Sequence, residues 1–454
     1  MLRVKWTLQE TVRTFLSHLK IVFLFNVSAY GLIALGLIIT AQQWGPEEYA
    51  RISLVGALST YMLLPLSAGV HAVMYKKLPN AALHELPALM GSALTINGIT
   101  AALFALLFLA IGPHLTALIK LPAGVWNTAI VASLCVNFAL LSESFLRGQK
   151  KFRRIGTFKV VSGGLFFMLI LAVIFGFEYR SFVIYHALFC ASQVLFGILA
   201  ISSSGKISFT IDLKKYYKIL RYGFFLAGNM LISNIVFYSD TLIMNFFYSP
   251  REVGIFAAYQ LLVKQIFIVL FWEVFAVVFL PTMAEGNRKE TSIRLIKLYA
   301  PIFLVLVVVL SGVVSLLILF FGSSYPFNVW YVLLAASGGA FFSLYQISNS
   351  ILAMDGSAGA RRAFISVALF LPFAIGVQIA ATRMYGIPGA IGGTACVGFA
   401  LTLCFTLQHV RHFRLAKCTL RRRRPRQELG GTSNGDVRFL KRTARDRPRT
   451  KPKP

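Results

Sequence analysis

Residues 238–254 read YSDTLIMNFFYSPREVG, and one carboxylate, Asp240, stands inside an otherwise apolar run. An ionised side chain at the centre of a bilayer costs at least about 2.5–3.5 kcal/mol on insertion scales, so Asp240, Lys264 and Glu273 should face protein or a water-filled cavity. At about 100° per residue, Asn229, Ser233 and Asp240 fall in one narrow arc of a helix, while Gln260 and Lys264 share a face at i and i+4. Glu273, nine residues beyond Lys264, points to the opposite side. Counted inward from the turn at 249–251, Asp240 and Lys264 are 9 and 13 residues deep. With a rise of about 1.5 Å per residue, antiparallel helices bring them within roughly 6 Å along the axis.

Three chemistries suit such a pair. The two charges can pin neighbouring helices; Asp240 can carry a coupling proton or sodium ion; Lys264 can meet a phosphate. Pairing keeps the carboxylate ionised, whereas isolation in an apolar setting favours its protonated form. Arg51, at the outer end of the second apolar run, is a further phosphate candidate, with interfacial snorkelling as its alternative. Ser343, Gln346 and Asn349 lie on one broad arc of a later run, suited either to a sugar surface or to helix packing.

Other chemistries lack their residues. The seven histidines include no HExxH, and the five cysteines form no close CxxC pair, so no metal site is expected and the thiols read as packing groups. No GxxxxGK is present for nucleotide binding, and no two of the five aspartates form DxD. The expectation is a protein that is not an enzyme and needs no cofactor.

The elements that position these residues follow from composition. Of 454 residues, 57% are hydrophobic and only 13% charged, with the charges clustered between long apolar stretches. A hydrocarbon core about 30 Å thick takes about 20 helical residues, and lipid offers no partners to an open strand. The reading is an all-α polytopic membrane protein with twelve transmembrane helices, near 21–41, 52–74, 88–111, 123–146, 157–177, 182–201, 222–247, 253–281, 298–321, 327–353, 363–382 and 387–410. Alternate loops hold 23 Lys and Arg on one side against five on the other, which places both termini in the cytoplasm.

Residues 1–19 form an amphipathic interfacial segment, and span one is expected to stay as a signal anchor. The 16 basic residues from Arg411 onward belong to a disordered cytoplasmic tail, 411–454, attracted to anionic lipid rather than to nucleic acid.

The chain also repeats itself. GPEEYARI at 45–52 aligns with SPREVGIF at 249–256, an offset of 204 that pairs Pro46 with Pro250 and Glu48 with Glu252. The basic turns after spans four and ten, GQKKFRRIGTF and DGSAGARRAF, occupy equivalent places. This divides the chain into a six-helix bundle at 20–201, a cytoplasmic linker at 202–221 and a second bundle at 222–410, parallel repeats with a substrate site expected between them. The offset matches Asp240 with Gly36, so the carboxylate is peculiar to the second half.

In their order and spacing, GPEEYARI, FLRGQKKF, YSDTLIMNFFYSPREVGIFAAYQLL and GIPGAIGGTA resemble the polysaccharide and O-antigen flippases of the multidrug/oligosaccharidyl-lipid/polysaccharide exporter superfamily. The resemblance covers roughly residues 20–410. It implies a cavity between two six-helix bundles and movement of a polyprenyl-diphosphate-linked oligosaccharide across the inner membrane of a bacterium or archaeon, coupled to a cation gradient. Membrane lipid and the glycosyltransferases and polymerase of the pathway are the implied partners. Drug exporters of the same superfamily share twelve spans and stand as the alternative, with a membrane scaffold for polysaccharide assembly as a third class.

Overall fold

Long apolar runs can satisfy their backbone polar groups without water only by coiling, and no strand occurs among the described residues. The computed structural model describes residues 8–177, 180–209, 213–267, 296–353 and 356–423. In chain order the helices are α1 (Leu8–Ser67), α2 (Val70–Lys77), α3 (Leu86–Leu118), α4 (Val125–Gly148), α5 (Phe152–Ala172), α6 (Phe182–Ser204), α7 (Leu213–Phe247), α8 (Pro250–Phe267), α9 (Tyr299–Phe321), α10 (Val329–Ala353) and α11 (Gly356–Arg423). A π-helical turn, Val173–Phe177, extends α5.

Nine helices among the described residues are long and apolar enough to cross a membrane, against the twelve spans expected. Two of the nine contain a bend, and α8 is described only to Phe267, with Glu273 and the expected end of span eight outside the described residues. The bends sit at Gly45 (φ 83°, ψ 176°) and Gly386 (φ 65°, ψ −136°), backbone conformations that a side chain disfavours. Pro46 follows the first bend and Pro388 the second, each where a missing N–H costs little. At the N-terminus the described part of α1 begins at Leu8, and residues 8–19 are helical and continuous with the first apolar run.

Burial is uneven. The most apolar stretches of α4 and α10 are 67% and 72% buried, whereas those of α3 and α9 are 17% buried and face outward. The largest buried cluster joins α1, α3, α4, α5 and α6 with α7, α8, α9, α10 and α11. Smaller clusters lie beside it: one gathers α2, α3 and α4, another α4, α5 and α6, and another α7, α8, α9, α10 and α11 with Ala57 and Tyr61 of α1.

The largest cluster has a tight centre where α8 meets the bend of α1. A Cβ added at Gly254 of α8 would overlap the carbonyl oxygen of Pro46, and Ala50, Ala257 and Ala258 beside them are almost fully buried. Around this approach Tyr325 donates to the Ala41 carbonyl (3.2 Å), Tyr49 meets Phe321 and Tyr325 edge to face, and the Asn245 amide donates to the Lys120 carbonyl (3.2 Å).

The charge asymmetry makes a direct prediction about sidedness. Cysteines at Ser249 and Ser323, both exposed, are expected to react with a membrane-impermeant thiol reagent from outside, and one at exposed Lys206 only after permeabilisation. Reversed labelling would overturn the orientation.

Candidate functional site

The bent, helical frame brings Asp240 of α7 against Lys264 of α8. The Lys264 ammonium donates to Asp240 Oδ1 at 2.6 Å and Oδ2 at 2.9 Å, and the two side chains are 1% and 0% exposed. Thr241 donates to Oδ1 through its backbone N–H (2.7 Å) and its hydroxyl (3.1 Å), and Thr394 of α11 donates to Oδ2 (3.0 Å). A carboxylate offers about four lone-pair sites, so these donors fill it. The ammonium also stands over the rings of Phe237 (5.1 Å) and Tyr238 (4.8 Å), whose faces favour a cation. An ion pair this deep survives because nearly every polar atom in it is matched.

The rest of the α7 stripe forms a seam between helices in this conformation. Asn229 donates to the Asn349 side chain (3.2 Å), Ser233 bonds Tyr345 (2.6 Å), and Ser239 bonds Gln378, whose amide donates to the Val236 carbonyl (2.9 Å). Ser343 returns its hydroxyl to the Gly339 carbonyl of its own helix (2.8 Å), and Gln346 is buried nearby on α10. Gln260, one turn from Lys264, is 2% exposed and its amide nitrogen has no hydrogen-bond partner among the described residues. Arg51 belongs to a different setting: it pairs with Glu48 (2.7 Å), whose other oxygen accepts the N–H of Phe182 (3.0 Å), which ties the bend of α1 to α6.

A second buried charge cluster escaped the sequence reading. Glu143 of α4 is paired with Arg147 (2.5 Å) and with Lys159 of α5 (3.1 Å), and Lys159 also lies over Tyr30 of α1 (5.6 Å). The signal was present in SESFLRG, a lone glutamate inside an apolar run with an arginine at i+4. Thr394 carried no such signal, being 154 residues from the carboxylate it serves.

Solved structures share this architecture. An inward-facing multidrug resistance MATE family transporter of the MOP superfamily superposes with a TM-score of 0.65 at 14% identity, covering 86% of this chain and 96% of that one. A MOP superfamily transporter from Pyrococcus furiosus, described as having a binding pocket of reversed polarity, gives 0.62 at 13% identity over 89% and 96%. The Vibrio cholerae MATE transporter VcmN gives 0.57 at 17% over 88% and 98%. Identities this low show the fold alone. No curated protein matches the chain. The family is shown instead by the sequence itself: residues 17–287, well over half the chain, match the polysaccharide biosynthesis protein family, and the chain belongs to that family.

Proposed function

We propose that this protein flips a polyprenyl-diphosphate-linked oligosaccharide from the inner to the outer leaflet of a prokaryotic cytoplasmic membrane. The match to the polysaccharide biosynthesis protein family over residues 17–287 carries this reading. The 45-residue helix through Gly45 and the 51-residue helix through Gly386 each have length for two crossings, which supports twelve spans. Spans four and ten, equivalent in the repeat, are the most buried, and spans three and nine are equally exposed, which supports two six-helix halves.

In this reading Lys264 is the substrate's charge contact. The ammonium leaves Asp240 when the helices around it part, and a diphosphate oxygen replaces the carboxylate as its acceptor, charge for charge. Asn349 and Gln346, one turn apart on α10, are positioned to follow as sugar contacts when the seam with α7 opens.

The MATE fold favours one other reading, export of a small drug. Proteoliposomes loaded with a labelled lipid-linked oligosaccharide separate the two. The glycan is expected to become accessible to an impermeant periodate reagent on the opposite leaflet, with no uptake of a cationic dye. Dye uptake without glycan movement would make the protein an exporter, and movement of neither would leave the scaffold reading.

A further inference from the structure

Besides Gln260, a buried hydroxyl near the ion pair has no hydrogen-bond partner among the described residues. Tyr61, on the second arm of α1, packs against both the large outer cluster and the cluster that holds Phe237 and Tyr238. Its hydroxyl oxygen is buried with no hydrogen-bond partner among the described residues, yet it is near enough to Asp240 and Tyr238 to interact with them electrostatically. A buried hydroxyl left unmatched is destabilising, and such groups are rare in well-packed interiors. The reason it goes unmatched here is visible at the carboxylate. Lys264, Thr241 and Thr394 already fill both oxygens of Asp240.

Those donors all come from α7, α8 and α11, whereas Tyr61 comes from α1. We propose that Tyr61 is the donor that takes the place of Lys264 on Asp240 when the ammonium departs, and so is a positioning residue for the flipping step. The inference rests on the role given to Lys264 above. The exchange gives the carboxyl group a hydrogen-bond donor while its cation is engaged elsewhere. It also ties the position of α1 to the state of a charge on α7, because Tyr61 packs against the cluster that holds Phe237 and Tyr238.

A double-mutant cycle on purified full-length protein tests this without reference to the transported molecule. In the otherwise native protein, Tyr61→Phe removes an unmatched hydroxyl, so the melting temperature should hold or rise. In a Lys264→Met background the same change removes the replacement donor, and the melting temperature should fall by roughly 2–4 °C. Thr394→Val frees an acceptor site on Asp240 with the ion pair intact and should show the same reversal in smaller measure, which keeps the test open if Lys264→Met does not fold. A Tyr61→Phe shift of the same sign and size in every background would overturn the proposal. Glycan movement in Tyr61→Phe should fall at least about tenfold at normal melting temperature, the scale of losing one hydrogen bond to a charged group; normal movement would overturn the role in flipping. If the unaltered protein moves no glycan, the flippase reading fails, and the thermal cycle still decides the role of Tyr61.

Discussion

Asp240→Asn is expected to lower stability by about 3–5 kcal/mol, because it leaves the Lys264 ammonium buried without its counter-charge. The ammonium is 1% exposed and its acceptors are the two carboxylate oxygens, so the amide that replaces them offers one oxygen and a repelling NH₂ group. Adding Lys264→Met removes the stranded charge and should restore most of that loss, since a buried pair replaced by apolar groups of similar volume is often close to neutral. Glycan movement should not return with it. Stability follows the pair, whereas transport follows the ammonium that meets the diphosphate. Thermal denaturation and glycan movement, measured on the single and double variants at matched protein levels, check both halves. Transport that recovers together with stability would reduce the pair to a pin between α7 and α8.

Gly254→Ala should cause near-complete loss of transport from the addition of one methyl group. By intrinsic propensity alanine is favoured over glycine inside a helix by about 1 kcal/mol, so an exposed site would gain from the change. Here the methyl would overlap the Pro46 carbonyl, a backbone atom held by the bend at Gly45, and the outer ends of α1 and α8 could no longer meet. Cysteine at Ala258, fully buried in this junction, should be silent toward an impermeant thiol reagent in the native background and reactive in Gly254→Ala. Silent labelling with normal transport would show that the junction does not need to close.

Much of the charge site was legible before any tertiary information. Helical rise and the turn at Ser249–Arg251 place Asp240 and Lys264 at similar depth on adjacent helices, and they bond at 2.6 Å. Both facts depend on local geometry that apolar runs enforce. The polar stripe was legible as a stripe but not as a seam. Periodicity groups Asn229, Ser233 and Asp240 on one face, and it cannot say what that face meets; in this conformation Asn349 and Tyr345 of α10 bond to it. Arg51 was ambiguous for the same reason, and it pairs with Glu48 one turn away. Glu143 was legible and overlooked, its i+4 arginine suggesting only a helix-surface pair when Lys159 of the next helix completes it.

The sequence alone determined that the chain is built from membrane-crossing helices, that a glycine and proline break α1 near residue 45, and that one carboxylate and one ammonium share a level between α7 and α8. Each follows from hydrogen bonding, chain stiffness and helical rise, which act within a few residues. Only the tertiary structure decided that Thr394 completes the carboxylate, that Tyr61 stands beside it without a partner, and that Gly254 admits the Pro46 backbone. In a membrane the lipid is as apolar as a leucine face, so hydrophobicity does not reveal which helix meets which. Those choices are made by shape and by buried polar contacts between residues as far apart as 41 and 325, and they exist only once the helices have packed.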